Sequence, residues 1–315
     1  MFEGCTSLTA VSTLPATTVG FCSYSKMFKG CTSLTTAPVL SAVTFNAQYS
    51  YSHMFEGCTS LTSAPALPAT SLYANCYEYM FSDCTSLTSG PALPATDINN
   101  NCYKGMFSGC TSLTTAPALS ATTLKYDCYY EMFKGCTSLT SAPALSATTL
   151  DSGCYQSMFE GCTSLTSAPV LPATQVESYC YCSMFKGCTS LTSAPALPAT
   201  ALDDATYCYN SMFEGCTSLT AAPSLPAETE YASGCYKEMF KGCILLTSAP
   251  ALPSLNIPDS CYNSMFEDCT SLTAAPTLSS TDYIGEFSYS CMFKGCTSLT
   301  AAPTLPSLSI CTYGY

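Results

Sequence analysis

The chain has 315 residues, of which 47% are hydrophobic and only 10% are charged, and its net charge is −12. All nine basic residues are lysines, so both the sign of the charge and the lack of arginine argue against nucleic-acid binding. The apolar content is sufficient for a packed core, and no apolar run approaches the roughly 18 residues that predict a membrane-spanning helix.

The pair Met-Phe occurs twelve times, at intervals of 26, 27 or 28 residues, and accounts for every methionine. A fixed period in this range is typical of solenoid proteins. It predicts one continuous repeat solenoid over residues 1–315, although the chain length alone would suggest about two domains. The repeats start at Met1, Met27, Met54, Met80, Met106, Met132, Met158, Met184, Met212, Met239, Met265 and Met292.

Each repeat contains the same predicted elements. Asn75 is expected to cap a short helix in which Tyr77, Met80 and Phe81 share one face. Glycine, or aspartate in two repeats, ends that helix. The motif Cys-Thr-Ser-Leu-Thr then predicts a short strand with leucine inward, and two proline turns follow because proline cannot donate to a ladder. The predicted fold is an α/β solenoid of twelve coils, like a leucine-rich repeat array, each with a short parallel β-strand, proline turns and a short helix.

The motif is clear in residues 54–62, which read Met-Phe-Glu-Gly-Cys-Thr-Ser-Leu-Thr. These units resemble leucine-rich repeats of the BspA-like bacterial surface type, in the variant built on Met-Phe-x-Gly-Cys-x-Ser-Leu-Thr. The resemblance covers essentially the whole chain and implies a secreted or surface-displayed bacterial protein, or a related phage protein, used in adhesion and binding. This chain departs from commoner members in its Ala-Pro-x-Leu-Pro segments and in having a second cysteine per repeat.

The residue inventory argues against an enzyme. His53 is the only histidine, and it lies in a variable segment where a surface role is expected. A Ser–His–acid or Cys–His mechanism would depend on it, and a histidine-containing zinc site lacks a second histidine. The acids show no alternating calcium-loop pattern. We therefore expect no catalytic residues, no metal and no cofactor.

The chain has 24 cysteines, which favours an oxidising, extracellular or cell-surface setting. One set follows the glycine, and a second set, which includes Cys22 and Cys291, precedes the predicted helix. Pairs eight residues apart suggest disulfides, but eight helical residues span about 12 Å whereas a disulfide needs Cα atoms within about 7 Å. Disulfides and ladders of free thiols both remain open. The candidate disulfide residues are Cys76 with Cys84, Cys102 with Cys110, Cys128 with Cys136, and Cys154 with Cys162.

A tyrosine lies three residues before every internal Met-Phe pair. We expect these rings to pack in the core with satisfied hydroxyl groups. Sugar binding and charge relay are the alternatives.

The residue after Met-Phe carries an alternating charge. Wherever two adjacent repeats are both charged here, the signs are opposite. Stacked coils would place these side chains side by side as ion pairs, each worth under about 1 kcal/mol, and would disfavour incorrect stacking. The charge ladder consists of Glu3, Lys29, Glu56, Lys134, Glu160, Lys186, Glu214, Lys241, Glu267 and Lys294.

Neither terminal repeat has the polar cap expected of a solenoid in solution. When the end of the sequence is placed before its start, the repeat spacing continues and Lys294 would stack on Glu3. This predicts head-to-tail stacking of copies, although a slice of a longer array would also lack caps. The predicted end-to-end interface contains Met1, Phe2, Glu3, Cys5, Lys294, Cys311, Tyr313 and Tyr315.

Two functions fit these features. The first is a non-enzymatic extracellular structural and adhesive protein that stacks into a filament, with itself as partner. The alternative is a receptor- or glycan-binding module of a bacterial surface or phage protein, whose partners would be a host glycan or surface protein. In either case, variable segments such as 124–127 and 201–206 are expected to face the partner.

Overall fold

The computed structural model describes residues 1–226, 231–252, 256–278 and 283–305. In these residues successive repeats lie against one another as coils, joined by short parallel strands in which the first residue is exposed and the second is buried. The strands pair as β1–β2, β3–β4, β5–β6 and β7–β8, with partners one repeat apart. They are β1 (Thr18–Val19), β2 (Thr44–Phe45), β3 (Ser71–Leu72), β4 (Asp97–Ile98), β5 (Thr123–Leu124), β6 (Thr149–Leu150), β7 (Asn256–Ile257) and β8 (Tyr283–Ile284).

The segment around each Met-Phe pair is a run of turns, which we call the turn segment; in the fifth coil it comprises residues 101–110. Its backbone amides alternate between two kinds of acceptor. The amide of Met106 donates to the Tyr103 carbonyl oxygen of the same coil at 3.2 Å. The next amide, that of Phe107, donates to the Met132 carbonyl oxygen of the following coil at 2.9 Å. Half of these amides therefore find their hydrogen-bond acceptor in the neighbouring coil.

The predicted short helix is not confirmed, because the described residues contain no helix. Every fourth residue of the turn segment has a left-handed backbone, for example Asp127 (φ 54°) and Glu131 (φ 54°). This conformation interrupts the uniform right-handed backbone that a helix requires. Asn75 is itself left-handed (φ 61°), so its expected role as a helix cap is wrong. Asn and Asp suit these positions because they tolerate this conformation better than most residues.

The strand is also displaced from its predicted position. Thr-Ser-Leu-Thr was expected to form it, but the strands lie later, at the start of the variable segment, as in Thr123–Leu124. The Thr-Ser-Leu part is a turn instead, in which the Leu113 amide donates to the Cys110 carbonyl oxygen at 3.0 Å. The inward direction of the leucine was correct, since Leu113 is fully buried.

The core consists of columns in which the same side chain recurs one coil above another. The Phe81 and Phe107 rings stack with centroids 5.8 Å apart, and the Tyr77 and Tyr103 rings stack at 5.9 Å. Burial of one such side chain contributes roughly 1.5–3 kcal/mol. A single coil cannot obtain this contribution alone, because the surfaces that cover its rings belong to its two neighbours.

One column shows how closely the coils approach. Gly109 and Gly135 both have left-handed backbones, with φ of 74° and 71°. A Cβ atom on Gly135 would lie 3.7 Å from the Gly109 nitrogen, which is an ordinary contact, whereas a Cβ atom on Gly109 would overlap the Asp83 carboxylate of the preceding coil. Asp83 therefore fits only because glycine follows it one coil later.

We predict that Gly109→Ala lowers the unfolding midpoint more than Gly135→Ala. Both variants place alanine in a left-handed backbone at a cost of about 1 kcal/mol, but only the first also forces the exposed Asp83 carboxylate to move, which adds roughly 0.5 kcal/mol or more. Urea unfolding followed by circular dichroism measures the difference. Asp83→Gly in the Gly109→Ala background should bring the midpoint back to that of Gly135→Ala, and equal midpoints for the two single variants would contradict this packing.

Candidate functional site

The charged residues after Met-Phe stand in one column on the surface of the stack. Lys29 Nζ lies 2.9 Å from Glu56 Oε2 in the next coil. Equivalent ion pairs one repeat apart are Lys134–Glu160, Lys186–Glu214, Lys241–Glu267 and Lys294–Glu267. Nine of the ten residues of the predicted charge ladder take part in these pairs, and the tenth, Glu3, is exposed. The role of the column in choosing the stacking register remains a prediction.

Glu267 is the most strongly held member of this column. Its carboxylate lies between two lysines, with Lys294 Nζ at 2.6 Å and Lys241 Nζ at 3.0 Å. The hydrogen bond from Lys294, aided by Lys241, lowers the pKa of the Glu267 carboxyl group to about 2. Glu267 therefore remains ionised in the folded protein well below the pH at which an ordinary glutamate is protonated.

The cysteines after the left-handed glycine or aspartate form a second column, inside the stack. In eleven coils the thiol donates to the phenylalanine carbonyl oxygen of the preceding coil, as from Cys58 to Phe28 at 3.1 Å. Burial raises the pKa of the Cys58 and Cys162 thiols to about 12. They therefore remain neutral, and weakly reactive, at physiological pH.

The other inner column lies four residues before each methionine and also supplies hydrogen-bond donors. Cys180 Sγ donates to the Asp151 carbonyl oxygen at 3.3 Å. Serine takes the same place in three coils, at Ser23, Ser50 and Ser288. Buried Ser50 donates to Gly20 O at 2.6 Å, and buried Ser288 donates to Pro258 O at 2.8 Å. Because a serine hydroxyl replaces the thiol, the shared function of this position is donation to a backbone carbonyl.

This column corrects two assignments. Cys22 and Cys291 had been grouped with the inner cysteines, but they lie five residues and one residue before their methionines and are exposed.

The described cysteines are all free thiols. The candidate bonds Cys76–Cys84, Cys102–Cys110, Cys128–Cys136 and Cys154–Cys162 are therefore not formed in this structure, where each thiol instead contacts a carbonyl of the preceding coil.

The tyrosine column is buried, as expected of core residues. Its rings stack from Tyr24 to Tyr289 with centroids 5.5–6.1 Å apart. The expectation of satisfied hydroxyl groups was wrong for several of them, since buried hydroxyls such as those of Tyr77 and Tyr103 have no hydrogen-bond partner. Burial raises the pKa of both phenols. The buried rings are shielded from a sugar, and the Tyr77 and Tyr103 hydroxyls have no acceptor for a proton among the described residues.

His53 takes part in a local contact of the surface column. Its Nδ1 atom lies 2.6 Å from Glu56 Oε2, and its ring stacks on Tyr79 with centroids 5.3 Å apart. Among the described residues, no group of three or more His, Cys, Asp or Glu side chains is arranged to hold a metal ion. No helix in the described ranges is long and apolar enough to cross a membrane.

Among the described residues, the rings of the two terminal coils each stack on one neighbouring coil. Met1 is 94% exposed, and Phe2 stacks on Phe28 on one side with centroids 5.7 Å apart. At the other end, Phe293 stacks on Phe266 at 5.8 Å. Glu3 and Cys5 are exposed, as is Lys294. The remaining predicted interface residues, Cys311, Tyr313 and Tyr315, lie outside the described residues.

The sequence analysis missed a group of exposed rings in the variable segments. Phe21 is 70% exposed, Tyr73 48% and Tyr49 37%. They lie five to seven residues before the methionine of their repeats, at the corner where the chain turns inward. These rings could have been found in the sequence as aromatic residues whose position differs from repeat to repeat. The regular tyrosine before each internal Met-Phe pair made them easy to overlook.

The repeat motif identifies the family. The model of the BspA type leucine rich repeat region matches residues 1–140, 41–166, 127–243 and 183–311. The chain belongs to this family. It is thus a leucine-rich repeat protein with short parallel strands. No curated protein sequence matches this BspA type repeat chain.

Three solved structures are similar to this BspA type repeat chain. A leucine rich cell surface protein from Faecalibacterium prausnitzii is 20% identical, with 93% of this chain and 78% of that chain covered and a TM-score of 0.45. A leucine-rich repeat protein from Bacteroides ovatus is 20% identical, with 94% and 79% covered and a TM-score of 0.35. The Treponema pallidum (T. pallidum) leucine rich repeat protein is 22% identical, with 75% and 77% covered and a TM-score of 0.27.

We predict that few thiols of the native protein react quickly with a thiol reagent. Among the described cysteines only Cys5, Cys22 and Cys291 are exposed, and burial keeps the others protonated. Titration with Ellman's reagent before and after denaturation, without reductant, measures both groups. Denaturation should release the remaining thiols. A denatured chain with only a few free thiols would show that the buried cysteines form disulfides instead.

We also predict an acid-dependent contribution of Glu267 to stability. Its pKa lies near 2 in the folded protein, below the ordinary value of 4.5, so the stabilisation is fully present above about pH 4.5 and is lost between pH 4.5 and 2. Unfolding temperatures at pH 6, 4, 3 and 2 should converge between the wild type and Glu267→Gln as the pH falls. A difference that stays constant down to pH 2 would contradict the lowered pKa.

Proposed function

We propose that this chain is a non-enzymatic structural and adhesive protein of the bacterial cell surface, or a related secreted protein, whose twelve coils form one continuous rod. Three features support this proposal. The BspA type family consists of leucine-rich repeat scaffolds. The interior is filled by columns of packed side chains, and every second amide of the turn segment is tied to the next coil. Such a rod holds outward side chains at fixed positions, as a surface module requires.

We further propose that copies stack head-to-tail. The observation that supports this is that equivalent atoms make the contacts between successive coils. The Phe107 amide donates to the Met132 carbonyl oxygen, and the Gly109 amide donates to the Lys134 carbonyl oxygen. The matching groups at the two ends are the amides of Phe293 and Gly295 and the carbonyl groups of Met1 and Glu3. A second copy placed one coil beyond Phe293 would join these donors and acceptors.

The same placement matches the side chains. Cys31 Sγ donates to the Phe2 carbonyl oxygen at 3.0 Å, so Cys5 of one copy would donate to Phe293 of another. Glu3 would stand beside Lys294 and continue the alternation of charges. Such a contact joins two different faces, so it propagates into a filament rather than closing as a dimer.

A second candidate is a glycan- or receptor-binding module. The exposed rings of Phe21, Tyr49 and Tyr73 favour it, because such rings provide contact area for a partner. This function requires no filament.

We predict that purified wild-type protein forms filaments and that Glu3→Lys weakens their assembly roughly tenfold. The change replaces an attraction to Lys294 by a repulsion, each of up to about 1 kcal/mol. Glu177→Lys is the matched control, because it makes the same charge change at an exposed residue of an internal coil. Negative-stain electron microscopy and sedimentation measure length. Only dispersed rods of roughly 55 Å, twelve coils at about 4.8 Å each, would overturn the filament.

A further inference from the structure

One corner of the stack carries aromatic and amide side chains on consecutive coils. We call it the aromatic corner, and it consists of Phe21, Gln48, Tyr49, Tyr73, Asn99 and Asn100. Backbone hydrogen bonds place its parts in sequence. The Cys22 amide donates to the Gln48 carbonyl oxygen, Tyr49 donates to Ala74, and Asn75 donates to Asn100, at 2.9–3.1 Å. The corner is therefore a continuous edge along four successive coils, the second to the fifth.

The rings of this corner are large apolar groups held at the surface. Phe21 is 70% exposed, and it meets Tyr49 edge-on with centroids 6.1 Å apart. Tyr73 is 48% exposed on the next coil. Elsewhere on the outside of the stack the recurring residues are small, as at Thr88 and Thr114, so these rings are not needed to build a coil. A row of exposed rings on neighbouring coils is instead typical of a binding surface.

The charge of the corner limits what it can bind. None of its six residues is an Asp, Glu, Lys, Arg or His. The sixth coil carries Lys125 and the exposed ring of Tyr126 at this corner. From the seventh coil the corner is acidic, because it carries Asp151, Glu177, Asp203 and Asp204, and no ion pair neutralises these four within the described residues. The aromatic corner therefore suits an uncharged partner, because it offers no charged side chain to pair with a charged one. Ring contacts and hydrogen bonds would hold such a partner.

We propose that the aromatic corner binds a neutral polysaccharide that lies along the stack. Ring faces pack against the C–H faces of sugar rings, and amide side chains both donate to and accept from sugar hydroxyls. A polymer of identical units can repeat such contacts from coil to coil, because the corner presents a ring or an amide on each of four successive coils. Backbone pairing with an added peptide strand is disfavoured at this edge, because the Cys22, Tyr49 and Asn75 amides already donate to the next coil.

This inference gives the adhesive part of the proposed function a ligand class, and it rests on that part. It does not depend on filament formation. The dispersed Glu3→Lys variant keeps the aromatic corner unchanged, so it should still bind polysaccharide. Failure of the filament and failure of glycan binding are thereby observed separately.

Native affinity electrophoresis tests the proposal. The probes are three neutral polymers (hydroxyethyl cellulose, galactomannan and soluble starch) and anionic polygalacturonate. We expect at least one neutral polymer to retard the wild type, and Phe21→Ala/Tyr49→Ala/Tyr73→Ala to bind it at least about tenfold more weakly. Tyr179→Ala, which removes a ring of similar exposure from the acidic part of the corner, should bind like the wild type.

Several results would overturn the proposal. They are no retardation by any of the three neutral polymers, retardation by polygalacturonate alone, and undiminished binding by the triple variant. The three replaced side chains are exposed, so the unfolding temperature of the triple variant should match that of the wild type. With matching unfolding temperatures, a loss of binding is due to the missing rings and not to unfolding. If the triple variant is unstable, Tyr73→Phe and Tyr73→Ala compared at the same position separate ring stacking from folding.

Discussion

The structure depends on backbone hydrogen bonds between successive coils. In the turn segment, one amide closes a turn within its own coil and the next donates to the coil that follows. An unpaired buried amide is costly, typically by about 1–3 kcal/mol, so each coil is stable only against a neighbour in correct register. This requirement explains why the turn segment, which contains the Met-Phe pair, varies so little in length and why extra residues occur in the variable segments.

Once the register is fixed, equal residues stand above one another, and each column then has its own chemistry. Phenylalanine and tyrosine rings stack in the interior, while thiols or serine hydroxyls donate to backbone carbonyls of the preceding coil. On the surface, lysine and glutamate alternate, because equal charges in adjacent coils would repel one another. The exposed corner is the part in which side chains differ most from coil to coil, and such freedom suits a surface that selects a partner.

Much of this arrangement could be predicted from the sequence, because the repeat itself shows which residues share a column. The buried Met-Phe pair, the inward leucine and the pairing of Lys29 with Glu56 follow from it. The helix could not be distinguished from a run of turns, because Tyr77, Met80 and Phe81 share one face in both. The deciding features are the left-handed backbones of residues such as Asn75, which spacing does not reveal. The donor role of the inner cysteines emerged only when Ser50 and Ser288 were found to occupy the same place.

Amide hydrogen exchange resolved to single residues reports directly whether the amides between coils are bonded. We predict that the Phe107 and Gly109 amides, which donate to the next coil, are as strongly protected as the Met106 amide, which donates within its own coil. All three should lose protection together when the protein unfolds. Rapid exchange of Phe107 and Gly109 while Met106 remains protected would show that the turns form without the stack, and would contradict the account.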